Sequence, residues 1–145
     1  MSRTAQIHAS GPDWSGLSSP TLADIERLAD AAFARLPAEF RALCDGVVVK
    51  VDDFPDQETL TEMECETEFD LLGLFRGTGL AQAGAGLHTG QFPNMVWLYR
   101  RPLLDYWAEH EETLGDLVTH VLVHEIGHHF GLSDADMEAI EAAAG

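Results

Sequence analysis

The stretch from His124 to Asp134, HEIGHHFGLSD, decides how the chain is read. On a helix, residues i and i+4 share a face, so His124 and His128 project side by side at a spacing from which two imidazoles reach one ion. Glu125 lies about 100° further round, beside such an ion rather than on it. There a carboxylate is placed to take a proton from water. Two imidazoles alone hold zinc weakly, because a catalytic site normally takes three protein ligands and leaves a fourth position open. Gly131, three residues after His128, suits the left-handed backbone that ends a helix and turns the chain back. Asp134, three residues further, is then brought round towards the ion as the third ligand.

The same residues also admit a reading without metal. Ser133 and Asp136 have the S-x-x-D spacing of a capping box, and Asp134 in the first turn of a new helix is electrostatically favourable by itself. Chance weighs against coincidence. With this composition, H-E-x-x-H arises in roughly 3 of 100 such sequences, and the added Gly and Asp lower that to about 2 in 10,000. The division of labour is that of H-E-x-x-H metallohydrolases. The remaining histidines carry less. His120, on the same stripe as His124, is expected to be a partly exposed helix residue, with a place in the outer shell or cleft as the second reading. His129 points away from the pair, His88 is at most a substrate contact, and His110 and His8 are expected at the surface.

Working outward, Thr113 and Asp116 fit a capping box. Leu114, Leu117, Val118, Val121, Leu122 and Ile126 then give the motif helix an apolar stripe. Ser19 and Pro20 mark another helix start, followed by Leu22, Ile25, Leu28, Ala32, Phe33 and Leu36 at helical spacing. Pro37 opens a short helix that Gly46 closes. "GVVVKV" reads as a buried strand and "MVWLYRR" as a further one, after which Pro102 starts a brief helix through Trp107. "FDLLGLFRG", interrupted by Gly73 and ended by Gly77, reads as an edge strand. The glycine-rich stretch from Thr78 to Asn94 reads as a loop or long hairpin connection. Residues 1–18 are expected to be a flexible tail, and 19–145 a single α+β domain.

The chain has 145 residues, 46% apolar and 23% charged, which is ordinary globular composition with no run long enough to span a bilayer. The N-terminal stretch has no secretory apolar core, so a cytoplasmic address without membrane attachment is expected. Cys44 and Cys65 read as reduced thiols. Acids outnumber bases 25 to 8, for a formal charge of −17. Polyanions are repelled by such a surface, and the pair Arg100 and Arg101 is too little for a phosphate track, so no nucleic-acid partner is expected. Nine acids fall between Asp52 and Asp70 without a base, and this segment reads as solvated and mobile.

The pattern H-E-x-x-H-x-x-G-x-x-D resembles that of small zincin-like metallopeptidases of bacteria, and "HEIGHHFGLSD" matches it at every fixed position. The likeness extends through "VVVKVDDFP", "LLGLFRG" and "MVWLYRRPLL", over most of residues 20–143. It implies a minimal zincin-like fold: a small twisted mixed sheet of three to four strands, packed against helices that include the H-E-x-x-H helix. "LLGLFRG" becomes the edge strand along the cleft, where a peptide pairs with the backbone. It further implies a zinc-dependent peptidase using a metal-activated water, with zinc on His124, His128 and Asp134 and Glu125 as general base. Two departures stand out. The 17 residues after His128 leave no lower wall to the cleft, and no glutamate lies far enough downstream to serve as ligand in the thermolysin manner. A non-catalytic zinc-binding or peptide-binding module is therefore the alternative, and a metal-dependent ribonuclease, disfavoured by Glu125 and the charge, a further one.

Overall fold

The computed structural model describes residues 11–77 and 94–145. After a 3-10 turn at Trp14–Gly16 come α1 (Leu22–Arg35), α2 (Ala38–Leu43), β1 (Val48–Asp52), α3 (Gln57–Glu62), β2 (Gly73–Arg76) and β3 (Met95–Tyr99). The last part is helical, with α4 (Arg100–Glu109), α5 (Leu114–His129) and α6 (Asp134–Ala144). The architecture is α+β. The readings of residues 1–10, of His8, of His88 and of the loop up to residue 93 lie outside the described residues.

Side-chain capping sets the helix starts. α1 begins at a reciprocal box in which Thr21 accepts from the Asp24 amide and Asp24 accepts from the Thr21 amide. It therefore starts just after the Ser19–Pro20 pair rather than at it. α4 starts at Arg100, two residues ahead of Pro102, because a proline within the first turn lacks only an N–H that has no helical partner there. The nine acids between Asp52 and Asp70 are all exposed, in keeping with a solvated segment, and two of them organise the backbone around them. Asp56 caps α3 through the Thr59 amide, and Asp70 accepts from the amides of Glu66 and Thr67. Ahead of α1, Asp13 caps the turn at Trp14–Gly16.

The sheet order is β1-β3-β2, with β1 parallel and β2 antiparallel to β3. β2 is the edge strand that its glycines suggested. β1 is the other edge and is not buried: Val48, Lys50 and Asp52 are exposed while Val49 and Val51 are half-buried. Paired with β3 alone among the described residues, it covers the core with alternate residues. Central β3 sends Val96 and Leu98 into a core with Ile25, Ala29 and Ala32 of α1 and Leu117, Val118, Val121, Leu122 and Ile126 of α5. The stripe read from the motif helix is thus the one that anchors it.

Arg100 ties the segments together, donating to the Pro20 carbonyl, to Asp53 at 2.9 Å and to Ser19 at 3.0 Å. Arg101 lies over the Phe54 ring at 5.3 Å. Both members of the basic pair are thus engaged within the chain. Cys44 and Cys65 are free, and burial pushes the Cys44 thiol up to about 11. No helix among the described residues is long and apolar enough to cross a membrane.

Met137 of α6 is fully buried and seats that helix on α5 at Gly127, where an added Cβ would stand 2.5 Å from the Met137 sulfur. Met137→Ala is expected to cost about 2–5 kcal/mol, whereas Met137→Leu, which keeps the volume, costs less than about 1.5 kcal/mol. Urea titration of the two variants measures the contrast.

Candidate metal centre

α5 ends in a Schellman arrangement. Gly131 takes φ +79°, its amide donates to the His128 carbonyl at 3.1 Å, and the Leu132 amide donates to the Gly127 carbonyl at 2.9 Å. A side chain at that φ would be strained, so a glycine there lets the chain turn back. Ser133 and Asp136 then close a reciprocal capping box on α6. Asp134 is the first residue of that helix, which places its carboxylate at a helix N-terminus and next to α5 at once. The two readings of Asp134 are therefore compatible.

His124, His128 and Asp134 each bring a possible ligand atom within 4.8 Å of the others. His128 Nε2 stands 4.0 Å from Asp134 Oδ1, and the rings of His124 and His128 meet edge to face with centroids 5.6 Å apart. Two donor atoms on one zinc sit roughly 3.4 Å apart, given bond lengths near 2.0–2.1 Å. The required adjustment is small, and the Asp134 side chain, 87% exposed, is free to make it. Two imidazoles and a carboxylate are a donor set that zinc accepts, so the residues present fit the ion.

Glu125 is on the same helix and partly buried. Burial pushes its carboxyl above the ordinary glutamate range, and nearby His128 opposes that shift. Gly73 explains the burial. A Cβ placed there would lie 2.7 Å from Val121 Cγ1, 3.0 Å from the Trp97 carbonyl oxygen and 3.5 Å from Glu125 Cγ, so only a glycine lets β2 press against α5 beside Glu125. Among the described residues β2 pairs with β3 alone. On its other side, no described strand pairs with the backbone N–H and C=O groups next to Glu125.

One residue in the neighbourhood escaped the sequence reading. Glu141 of α6 bridges two histidines, with Oε1 at 3.0 Å from His120 Nδ1 and Oε2 at 2.9 Å from His124 Nε2. It lies too near in sequence for a ligand in the thermolysin manner, and no other role was read for it. The distance along the chain misleads, because α6 doubles back along α5. A signal was present: Asp134 and Glu141 are seven residues apart, two helical turns, and so share one face of α6.

His120 is half exposed, as expected for its stripe, but is paired with Glu141. His129 turns away and stacks on Phe75 with centroids 4.0 Å apart. His110 approaches the Tyr106 carbonyl at 2.6 Å and stacks on the Tyr106 ring. A cavity of about 320 Å³ lined by Asp52, Asp56, Glu62, Arg76, Trp97 and Tyr99 opens on the other face of the sheet. By strand alternation that face is opposite Val96 and Leu98, hence away from the histidines.

A sequence model of the zincin-like metallopeptidase family matches residues 44–144, just over two thirds of the chain. The match begins at Cys44, ahead of β1, and runs through the three strands and the motif helix into α6. No curated protein matches the chain.

Proposed function

The chain belongs to the zincin-like metallopeptidase family, and we propose that it is a zinc-dependent peptide hydrolase in which His124, His128 and Asp134 hold the ion and Glu125 is the general base. The observation that carries this reading is the convergence of those three donors at the end of α5, with Glu125 one residue along and beside β2, which pairs with β3 alone among the described residues. Zinc held there supplies Lewis acidity, lowering the pKa of a water towards 7 and polarising the scissile carbonyl.

The chain's own residues then have distinct tasks. The Glu125 carboxylate accepts a proton from the attacking water and returns it to the leaving amide nitrogen, so that the amine departs neutral. The outer edge of β2, which no described strand covers, aligns an extended peptide by main-chain hydrogen bonding, in the manner of an added strand. Gly73 keeps that edge within reach of Glu125. Asp134, held at its helix end by the Ser133–Asp136 box, supplies negative charge that fixes the ion against the two neutral imidazoles.

The test is cleavage of a mixed peptide library, followed by mass spectrometry, with zinc content measured on the same preparation. Cleavage that a chelator abolishes and zinc restores supports the reading. Bound zinc without cleavage of any peptide would instead identify a binding module on the zincin fold.

A further inference from the structure

α5 carries not two but three histidines one turn apart. His120, His124 and His128 form a row spaced by about 6 Å, and α6 lays two carboxylates against it, Asp134 at one end and Glu141 at the other, about 10 Å apart along their own helix. The result is two possible donor groups that share their middle member: His124, His128 and Asp134, and His120, His124 and Glu141. The second is the tighter of the two as it stands. Its imidazole-to-carboxylate distances are 2.9 and 3.0 Å, against 4.0 Å between His128 and Asp134. It is also the less exposed, since Glu141 and His124 side chains are about a quarter accessible while that of Asp134 is nearly fully so.

We propose that His120, His124 and Glu141 form a second position for a divalent transition-metal ion such as zinc, one that competes with the His124–His128–Asp134 position for His124. The chemistry follows from the donors. Each imidazole-to-carboxylate contact here is a hydrogen bond that needs a proton between nitrogen and oxygen. An ion entering the group takes the place of those protons, each of which moves to the other nitrogen of its neutral imidazole, the ligand distances widening by a few tenths of an ångström. A neutral imidazole has one lone pair, so His124 serves one ion at a time. The two positions exclude each other, and an ion moves between them by exchanging His120 and Glu141 for His128 and Asp134 while His124 stays bound. Zinc in the second position leaves Glu125 without its partner, so it holds the metal in an idle form.

This inference shares His124 with the reading above but rests on a different pair of residues, and the two are separable by zinc titration in competition with a chromophoric chelator, on the full chain. The variant His128→Ala/Asp134→Ala keeps only the second position. It is expected to bind one equivalent of zinc. Adding Glu141→Gln to it should weaken binding by more than the roughly 10- to 100-fold typical of losing an outer-shell contact. In reverse, His120→Ala/Glu141→Gln keeps only the first position and is expected to bind one equivalent, and the parent binds one equivalent rather than two. If His128→Ala/Asp134→Ala takes up no zinc while His120→Ala/Glu141→Gln does, the second position does not exist and Glu141 merely fastens α6 to α5. Failure of His120→Ala/Glu141→Gln to bind, with binding retained in the other variant, would instead strike the first position and leave the second. Circular dichroism of each variant confirms that loss of zinc is not loss of fold.

Discussion

Glu125→Gln is expected to lower peptide turnover by about 10²- to 10⁴-fold, the range for losing a positioned general base, while zinc content stays at the parent level. The substitution keeps the shape of the side chain in a place where Gly73 leaves little room. It removes only the ability to accept a proton from water and hand it on. Because Glu125 is not one of the converging donors, the ion has no reason to leave. Stability of the metal-free protein should not fall either. Burial raises the carboxyl's pKa, so the folded state already disfavours the charged form that unfolding would release, and a neutral amide avoids that cost at pH 7. Steady-state cleavage, zinc analysis and a urea titration together check this. Undiminished turnover would remove the general-base role.

His124→Ala should abolish both turnover and zinc binding. His124 is the one imidazole common to the two donor groups, so its loss leaves a single histidine and a carboxylate on either side. Neither remnant reaches the three ligands that a zinc site normally needs. His128→Ala differs: it ends turnover but leaves His120, His124 and Glu141 able to take the ion. The contrast between two histidines of one motif is itself informative, since a site made of His124, His128 and Asp134 alone predicts equal zinc loss from either. The helix should survive both changes, because its anchoring residues, Leu117, Val118, Val121, Leu122 and Ile126, are on the buried face. Zinc titration of both variants, with circular dichroism as control, reads the result.

Local chemistry made much of this fold legible. The turn after α5 could be read because only glycine suits φ +79°, and α6 because Ser133 and Asp136 cap it within three residues. The stripe on α5 was equally plain, being six large apolar side chains at one helical phase. What was missed depended on distant partners. The run of valines in β1 looked like a strand covered on both faces, although the interposed Lys50 and Asp52 already had the alternation of a half-exposed edge. In the acidic segment, the density of like charge hid the Asp56 cap and the pairing of Glu62 with Arg76, 14 residues on, at 2.7 Å. Glu141 was hidden in another way. Its neighbours are fixed by how α6 lies on α5 through Met137 and Gly127, and no spacing in the sequence states that packing outright.

The most direct test of the metal centre is anomalous diffraction at the zinc absorption edge, from crystals of the protein loaded with one equivalent of the ion. Activity need not be known for it. The expected map has its main peak within about 2.0–2.2 Å of nitrogens from His124 and His128 and an oxygen of Asp134, with Glu125 beside it and unligated. A lesser peak between His120, His124 and Glu141 is compatible with that outcome. A map in which the ion lies away from both His128 and Asp134, or in which Glu125 is itself a ligand, would contradict the proposed hydrolase.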